Sequence, residues 1–241
     1  MLKPAAAVLA VALTATPAVA ACEVMNFEGD SYTTCRFNLP AEPLALYNLD
    51  ADGQPYGSFS ALTKALAAEG KALAFAMNAG MFGEDLKPIG LYVENGKQSH
   101  KINRRSGSGN FHLKPNGVFY VAGGEAGVLE TEAYAKKGMK PDFATQSGPM
   151  LVINGRIHPK FTETGPSKKR RNGVCAPVKG EVVFAISNGF VNFHSFARLF
   201  RDGLNCQNAL FLDGSVSSLH APELGRSDGF FDLGPMVAVV K

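Results

Sequence analysis

The chain has 241 residues, 46% of them hydrophobic, and a formal net charge of +3. This is globular composition, long enough for a real core in one domain or at most two. So slight a basic balance gives no reason to expect a nucleic-acid partner and is compatible with an anionic small substrate.

The N-terminus reads MLKPAAAVLAVALTATPAVAAC. Lys3 is a short basic region, Ala5 to Leu13 is apolar, and Ala18-Val19-Ala20 fits the small-residue cleavage rule. Residues 1–20 are therefore expected to be a signal peptide and 21–241 the mature domain. The apolar run is too short to span a bilayer, so no stable membrane insertion follows cleavage and the expected location is periplasmic or secreted. The stretch VAAC also resembles a lipid-attachment box, which would place a lipid on Cys22. The chain has four cysteines, Cys22, Cys35, Cys175 and Cys206. In an oxidising compartment four thiols suggest two disulfides, with three possible pairings. Cys22–Cys35 and Cys175–Cys206 are the favoured ones, since a lipid on Cys22 would leave an odd number. No C-x-x-C occurs, which speaks against zinc or redox chemistry.

Two later segments share one grammar. After Ser58 or Ser60 as a cap, Phe59, Leu62, Ala65 and Leu66 fall on one helical face, and Gly70 ends the helix. A buried strand, Ala72 to Met77, then runs into Asn78-Ala79-Gly80. Further on, Phe196, Leu199 and Phe200 share a helical face ended by Gly203, and the strand Ala209 to Leu212 runs into Asp213-Gly214. Between them LYVENGKQ, FHLKPNGVFYV, MLVINGRI and VCAPVKGEVVFAIS each read as strand, glycine turn, strand. Three use Asn-Gly, the strongest short hairpin signal. A short helix up to Lys137 is ended by Gly138. Many hairpins and few helices predict a single α+β domain with a mixed, largely antiparallel sheet flanked by helices. The segments 100–112 and 162–174 are basic, rich in Gly and Ser, and read as loops.

Asn78 and Asp213 stand at the ends of buried strands, where ligands commonly bind. The glycines beside them permit close backbone approach. Ser147-Gly148-Pro149 makes a third corner whose N–H groups suit an anion. Arg104, Arg105, Arg170 and Arg171 offer planar forks for phosphate. Neither nucleotide-binding glycine pattern is present, and no nucleophile elbow surrounds Ser215 or Ser217. A triad of Asp213 with His194 or His220 and a serine is a weak alternative. The histidines show no zinc-ligand spacing.

Five pieces in order, MNAGMF (77–82), PNGVF (115–119), QSGPMLVINGR (146–156), RNGV (171–174) and LDGSVSS (212–218), resemble the phosphodiester glycosidase family over about residues 70 to 240. The resemblance implies a pocket lined by Asn78, Ala79, Gly80, Ser147, Gly148, Arg171, Asp213 and Gly214. It departs from the family in having Asn172-Gly173-Val174 after Arg171 and Ser215-Val216 after Gly214. The implied reaction is hydrolysis of a sugar joined through its anomeric carbon to a phosphodiester. Asp213 is the expected general base or nucleophile, and Arg171, with Arg105, would neutralise the phosphate. Asn78 and Ser147 would orient it, and Glu84 or Asp85 would be a second acid. Asn172, Ser217, Ser218 and His194 complete the expected substrate-binding set. The partner is a sugar phosphate or glycan, and no cofactor is expected. Two alternatives are a non-catalytic binder of anionic envelope glycans and a phosphodiesterase using Ca²⁺ or Mg²⁺ on Asp213 and Asn78.

Overall fold

A computed structural model describes residues 21–241. The signal-peptide reading of residues 1–20 lies outside that range. Seventeen strands form three sheets. The first, of seven strands, runs β1 (Cys22–Phe27), β2 (Asp30–Asn38), β13 (Glu181–Ser187), β12 (Asn172–Cys175), β14 (Ala209–Phe211), β10 (Met150–Ile153), β11 (Arg156–Ile157). The second, of five, runs β16 (Arg226–Ser227), β15 (Leu219–Ala221), β4 (Leu73–Asn78), β17 (Met236–Val240), β3 (Leu44–Tyr47). The third, also of five, runs β6 (Lys97–His100), β5 (Tyr92–Glu94), β9 (Phe143–Ser147), β7 (Gly117–Ala122), β8 (Glu125–Glu130). Every strand pairing among the described residues is antiparallel. The α+β class is as the hairpin grammar predicts, with the strands shared among three sheets.

The three sheets bury one common core. Strand alternation sends Val182, Phe184 and Ile186 inward and Val183 and Ala185 outward. Inside, Phe184 of the first sheet lies 5.3 Å from Phe75 of the second and 5.7 Å from Phe119 of the third, centroid to centroid. Each sheet then needs a cover for its outer face, and each has one helix. The helix α1 (Phe59–Ala68) packs Phe59, Leu62 and Leu66 on the second sheet. Next, α2 (Thr131–Lys137) places Tyr134 on the third. Finally, α3 (Phe193–Arg198) places Phe196 and Ala197 on the first.

Local signals act largely as expected. Ser58 caps α1, accepting from the Ala61 N–H at 3.1 Å. Gly138 ends α2 with φ 58°. Asn95-Gly96 and Asn154-Gly155 all take positive φ in two-residue hairpins, the geometry such turns require. Asn116-Gly117 departs from its prediction. Gly117 opens β7, opposite both Ser147 and Glu130. The buried Asn116 side chain donates to Phe111 O and accepts from Thr131 Oγ1, so it serves as an internal tie instead of a turn residue. Asn192 caps α3, accepting from the Ser195 N–H at 2.8 Å.

Both favoured disulfides are present, Cys22–Cys35 and Cys175–Cys206. Cys22 Sγ therefore has no thiol for a lipid. The two loops they close span 13 and 31 residues. Replacing either pair with alanine is expected to cost about 2–4 kcal/mol, more for Cys175–Cys206 because its unfolded loop is longer. Urea unfolding of the two double variants measures that order. No helix among the described residues is long and apolar enough to cross a membrane.

Candidate active site

The loop 212–218 leaves β14 and enters β15 (Leu219–Ala221). It is pinned from below by one side chain from each sheet. From β12, the fully buried Asn172 donates through Nδ2 to Asn78 O at 2.9 Å and to Asn78 Oδ1 at 3.0 Å. Its Oδ1 accepts from the Asp213 N–H and from Ser217 Oγ, both at 3.2 Å. Both donors and both acceptor positions of this amide are used. From β4, Asn78 donates through Nδ2 to Asp213 O at 3.1 Å, and its Oδ1 accepts from the Ser218 N–H at 2.9 Å. From β9, Ser147 Oγ donates to Leu212 O. Ser217 Oγ is also within donating distance of Asp213 O at 3.0 Å. Glycines let these segments close up. A Cβ on Gly80 would lie 2.2 Å from Thr145 Oγ1, and one on Gly148 would lie 2.7 Å from Asn116 Cβ. A Cβ on Gly214 would lie 2.5 Å from the Phe211 ring.

Above this platform sits the Asp213 carboxyl, half-buried, with Oδ1 accepting from the Ser215 N–H at 3.0 Å. Burial disfavours the ion and pushes its pKa up to about 6, and the Ser215 hydrogen bond opposes that shift only in part. The carboxyl is thus poised near neutrality, the range suited to acid–base work.

The structure brings Asn78, Ser147, Asn172, Asp213, Ser217 and Ser218 together. It also corrects how several of them were expected to act. Asn78, Ser147 and Asn172 are fully buried and committed to protein partners, so they hold the loop and do not face a ligand. Asn78 Oδ1 accepts from two donors, Asn172 Nδ2 and the Ser218 N–H. Arg171 is buried too. Its Nε donates to Val191 O and its Nη2 to Ser167 O, while the guanidinium lies 3.5 Å from the Phe193 ring centroid. Desolvation pulls its pKa down to about 10, still a cation at neutral pH. The fork expected to meet phosphate is mostly spent on backbone carbonyls.

Three expected partners lie elsewhere. His194 sits in the first turn of α3, beside a recess with Arg156, His158 and Glu163. His220 is on β15, its Nδ1 2.9 Å from Ser227 Oγ, so no triad with Asp213 forms. Arg105 lines a separate cleft that also contains Asp85, the proposed second acid. One residue was undervalued. Arg170 O is the contact for Ser217 Oγ at 3.3 Å, and the Arg170 side chain has no polar partner among the described residues. Arg170 thus touches the 212–218 loop through its backbone carbonyl, while the Arg171 guanidinium packs on the rings of Phe193 and Phe211. Adjacent arginines were visible in the sequence; the contacts that bury one guanidinium and leave the other without a polar partner were not.

Residues 71–223 match the family described as phosphodiester glycosidase. The protein YigE of Escherichia coli (strain K12) is 39% identical over 183 residues, covering 76% of this chain and 71% of that protein. Among solved structures, the zebrafish N-acetylglucosamine-1-phosphodiester alpha-N-acetylglucosaminidase catalytic domain superposes with TM-score 0.61 at 16% identity, covering 90% of this chain and 81% of that one. A putative exported protein from Burkholderia pseudomallei K96243 superposes with TM-score 0.54 at 10% identity, covering 87% and 74%. At these identities the two structures show a shared fold.

Proposed function

This chain belongs to the phosphodiester glycosidase family, and on that premise we propose that it is a hydrolase cleaving a sugar-1-phosphodiester of a periplasmic or extracellular glycan. The observation that carries this reading is one half-buried carboxyl, Asp213, raised to about 6 and held over a platform built from all three sheets. The zebrafish enzyme's name supports the same bond type. The two disulfides support an oxidising location.

In the reaction the bond from the sugar's anomeric carbon to the phosphate oxygen breaks, and a hydroxyl from water ends on the sugar. A phosphate monoester leaves without needing a proton, so one carboxylate suffices where ordinary glycosidases use two. Asp213 acts ionised, either taking a proton from the attacking water or attacking the anomeric carbon itself. Arg170 neutralises charge on the departing phosphate, and Arg171 buttresses the strand beneath it. Replacing Arg170 with glutamine is expected to lower kcat/KM about 100-fold with unfolding unchanged. Arg171→Lys should instead show up chiefly as lost stability. Steady-state kinetics and thermal melts on both variants separate the two roles.

The direct test is a panel of sugar-1-phosphodiesters turned over in ¹⁸O-water, with products read by mass spectrometry. Label in the sugar supports the reading. Label in the phosphate would make the chain a phosphodiesterase, and binding without turnover would make it a glycan receptor; either result sinks the proposal.

A further inference from the structure

A cleft of about 700 Å³ lies between residues 85–89 and 100–105. Lys87, Lys101, Arg104 and Arg105 line it against one carboxylate, Asp85. Its excess of positive charge equals that of the whole chain, +3. Arg104 is paired with Glu132 at 3.1 Å. The side chains of Lys87, Lys101 and Arg105 have no ion-pair or hydrogen-bond partner among the described residues.

The backbone carrying these cations is fixed in place. Asn103 Nδ2 donates to Ile89 O at 2.8 Å, joining the two walls of the cleft. Its Oδ1 accepts from the Arg105 N–H at 3.0 Å, and Lys114 Nζ donates to Arg104 O at 2.7 Å. The buried Gln146 side chain accepts from the Asn103 N–H and donates to Asn103 O, each at 2.8 Å. The next residue is Ser147, which holds Leu212 O beside Asp213. The strand β9 thus anchors the cleft through Gln146 and the catalytic loop through Ser147. Unpaired, exposed cations on a concave wall with a fixed backbone concentrate field and attract anions.

We infer that this cleft is a second anion subsite, and, resting on the glycosidase reading above, that it holds a further phosphate of the same substrate. The preferred substrate is then a chain of sugars carrying two or more phosphodiesters, not a single isolated one.

The test uses the mature protein and the double variant Lys87→Gln/Lys101→Gln, with tripolyphosphate and orthophosphate as probes. Calorimetry at low salt is expected to show tripolyphosphate binding weakened about tenfold in the variant and orthophosphate, with fewer charges, weakened by a smaller factor. In kinetics, kcat/KM on an oligomer with three sugar phosphodiesters should fall by a similar factor, with turnover of a single phosphodiester unchanged. Equal tripolyphosphate affinity in the two proteins overturns the subsite. An equal fall on both substrates overturns its role with longer ones. Absence of any turnover, together with the calorimetric difference, supports the subsite and removes the glycosidase reading instead.

Discussion

Asp213→Asn is expected to lower kcat on a sugar-1-phosphodiester by at least about 1,000-fold while leaving the fold intact. Asparagine keeps the acceptor for the Ser215 N–H, so the loop geometry survives and the ionisable group alone is lost. In the wild type a base or nucleophile must be ionised. Asp213 titrates at about 6, so kcat/KM should rise with pH through 6 and level off above it. A rate that instead falls above pH 6 would make Asp213 a proton donor and refute the assigned role. The same carboxyl has a stability signature. An unfolded aspartate titrates near 3.9, so the folded state holds this proton more tightly. The stabilisation is full below about pH 4 and is lost as pH rises through about 6. The asparagine variant carries no such loss. At pH 7–8 it should exceed the wild type by about 1–2 kcal/mol, after allowing for solvent screening of a half-buried group, and near pH 4 the two should coincide. Thermal melts across pH 4–8 give both comparisons. Loss of activity with gain of stability would mark Asp213 as a residue kept for chemistry.

Asn172→Ala is expected to give the largest loss of stability, about 4–5 kcal/mol. It removes two donors from the buried Asn78 and an acceptor from both the part-buried Asp213 N–H and the buried Ser217 Oγ. Leaving buried polar groups unpaired costs more than losing the bonds themselves. Asn172→Asp keeps the size and the acceptors but loses both donors, and it should fall at least as far above neutral pH, where its charge would be buried. Urea unfolding of both variants measures this. A cost near 1 kcal/mol for the alanine variant would mean that the platform is a loose cluster.

Much of this was legible in local chemistry. Ser58, Gly138, Asn95-Gly96 and Asn154-Gly155 state their roles within four residues, because caps and turns are settled by nearby backbone. The meeting of Asn78 and Asp213, 135 residues apart, was legible as two polar residues ending buried strands. What the polar groups do there was not. Asn78 reads the same whether it faces a ligand or a neighbouring asparagine, and the choice depends on Asn172 from another sheet. Arg170 and Arg171 read alike in sequence, and only tertiary contacts commit the Arg171 guanidinium to Val191 O and Ser167 O. Asn116-Gly117 has the dipeptide of a turn, but Thr131 and Phe111 claim the asparagine, and tertiary hydrogen bonding overrides the local preference.

The platform takes Asn172 from the first sheet, Asn78 from the second and Ser147 from the third. On the proposed function, catalytic competence is therefore a coincidence detector for assembly. A chain with two sheets formed and the third unpaired has most of its secondary structure and no seat for Asp213. Recovery of activity during refolding should then be the last signal to return, and a fragment lacking any one sheet should be inert even when it remains compact.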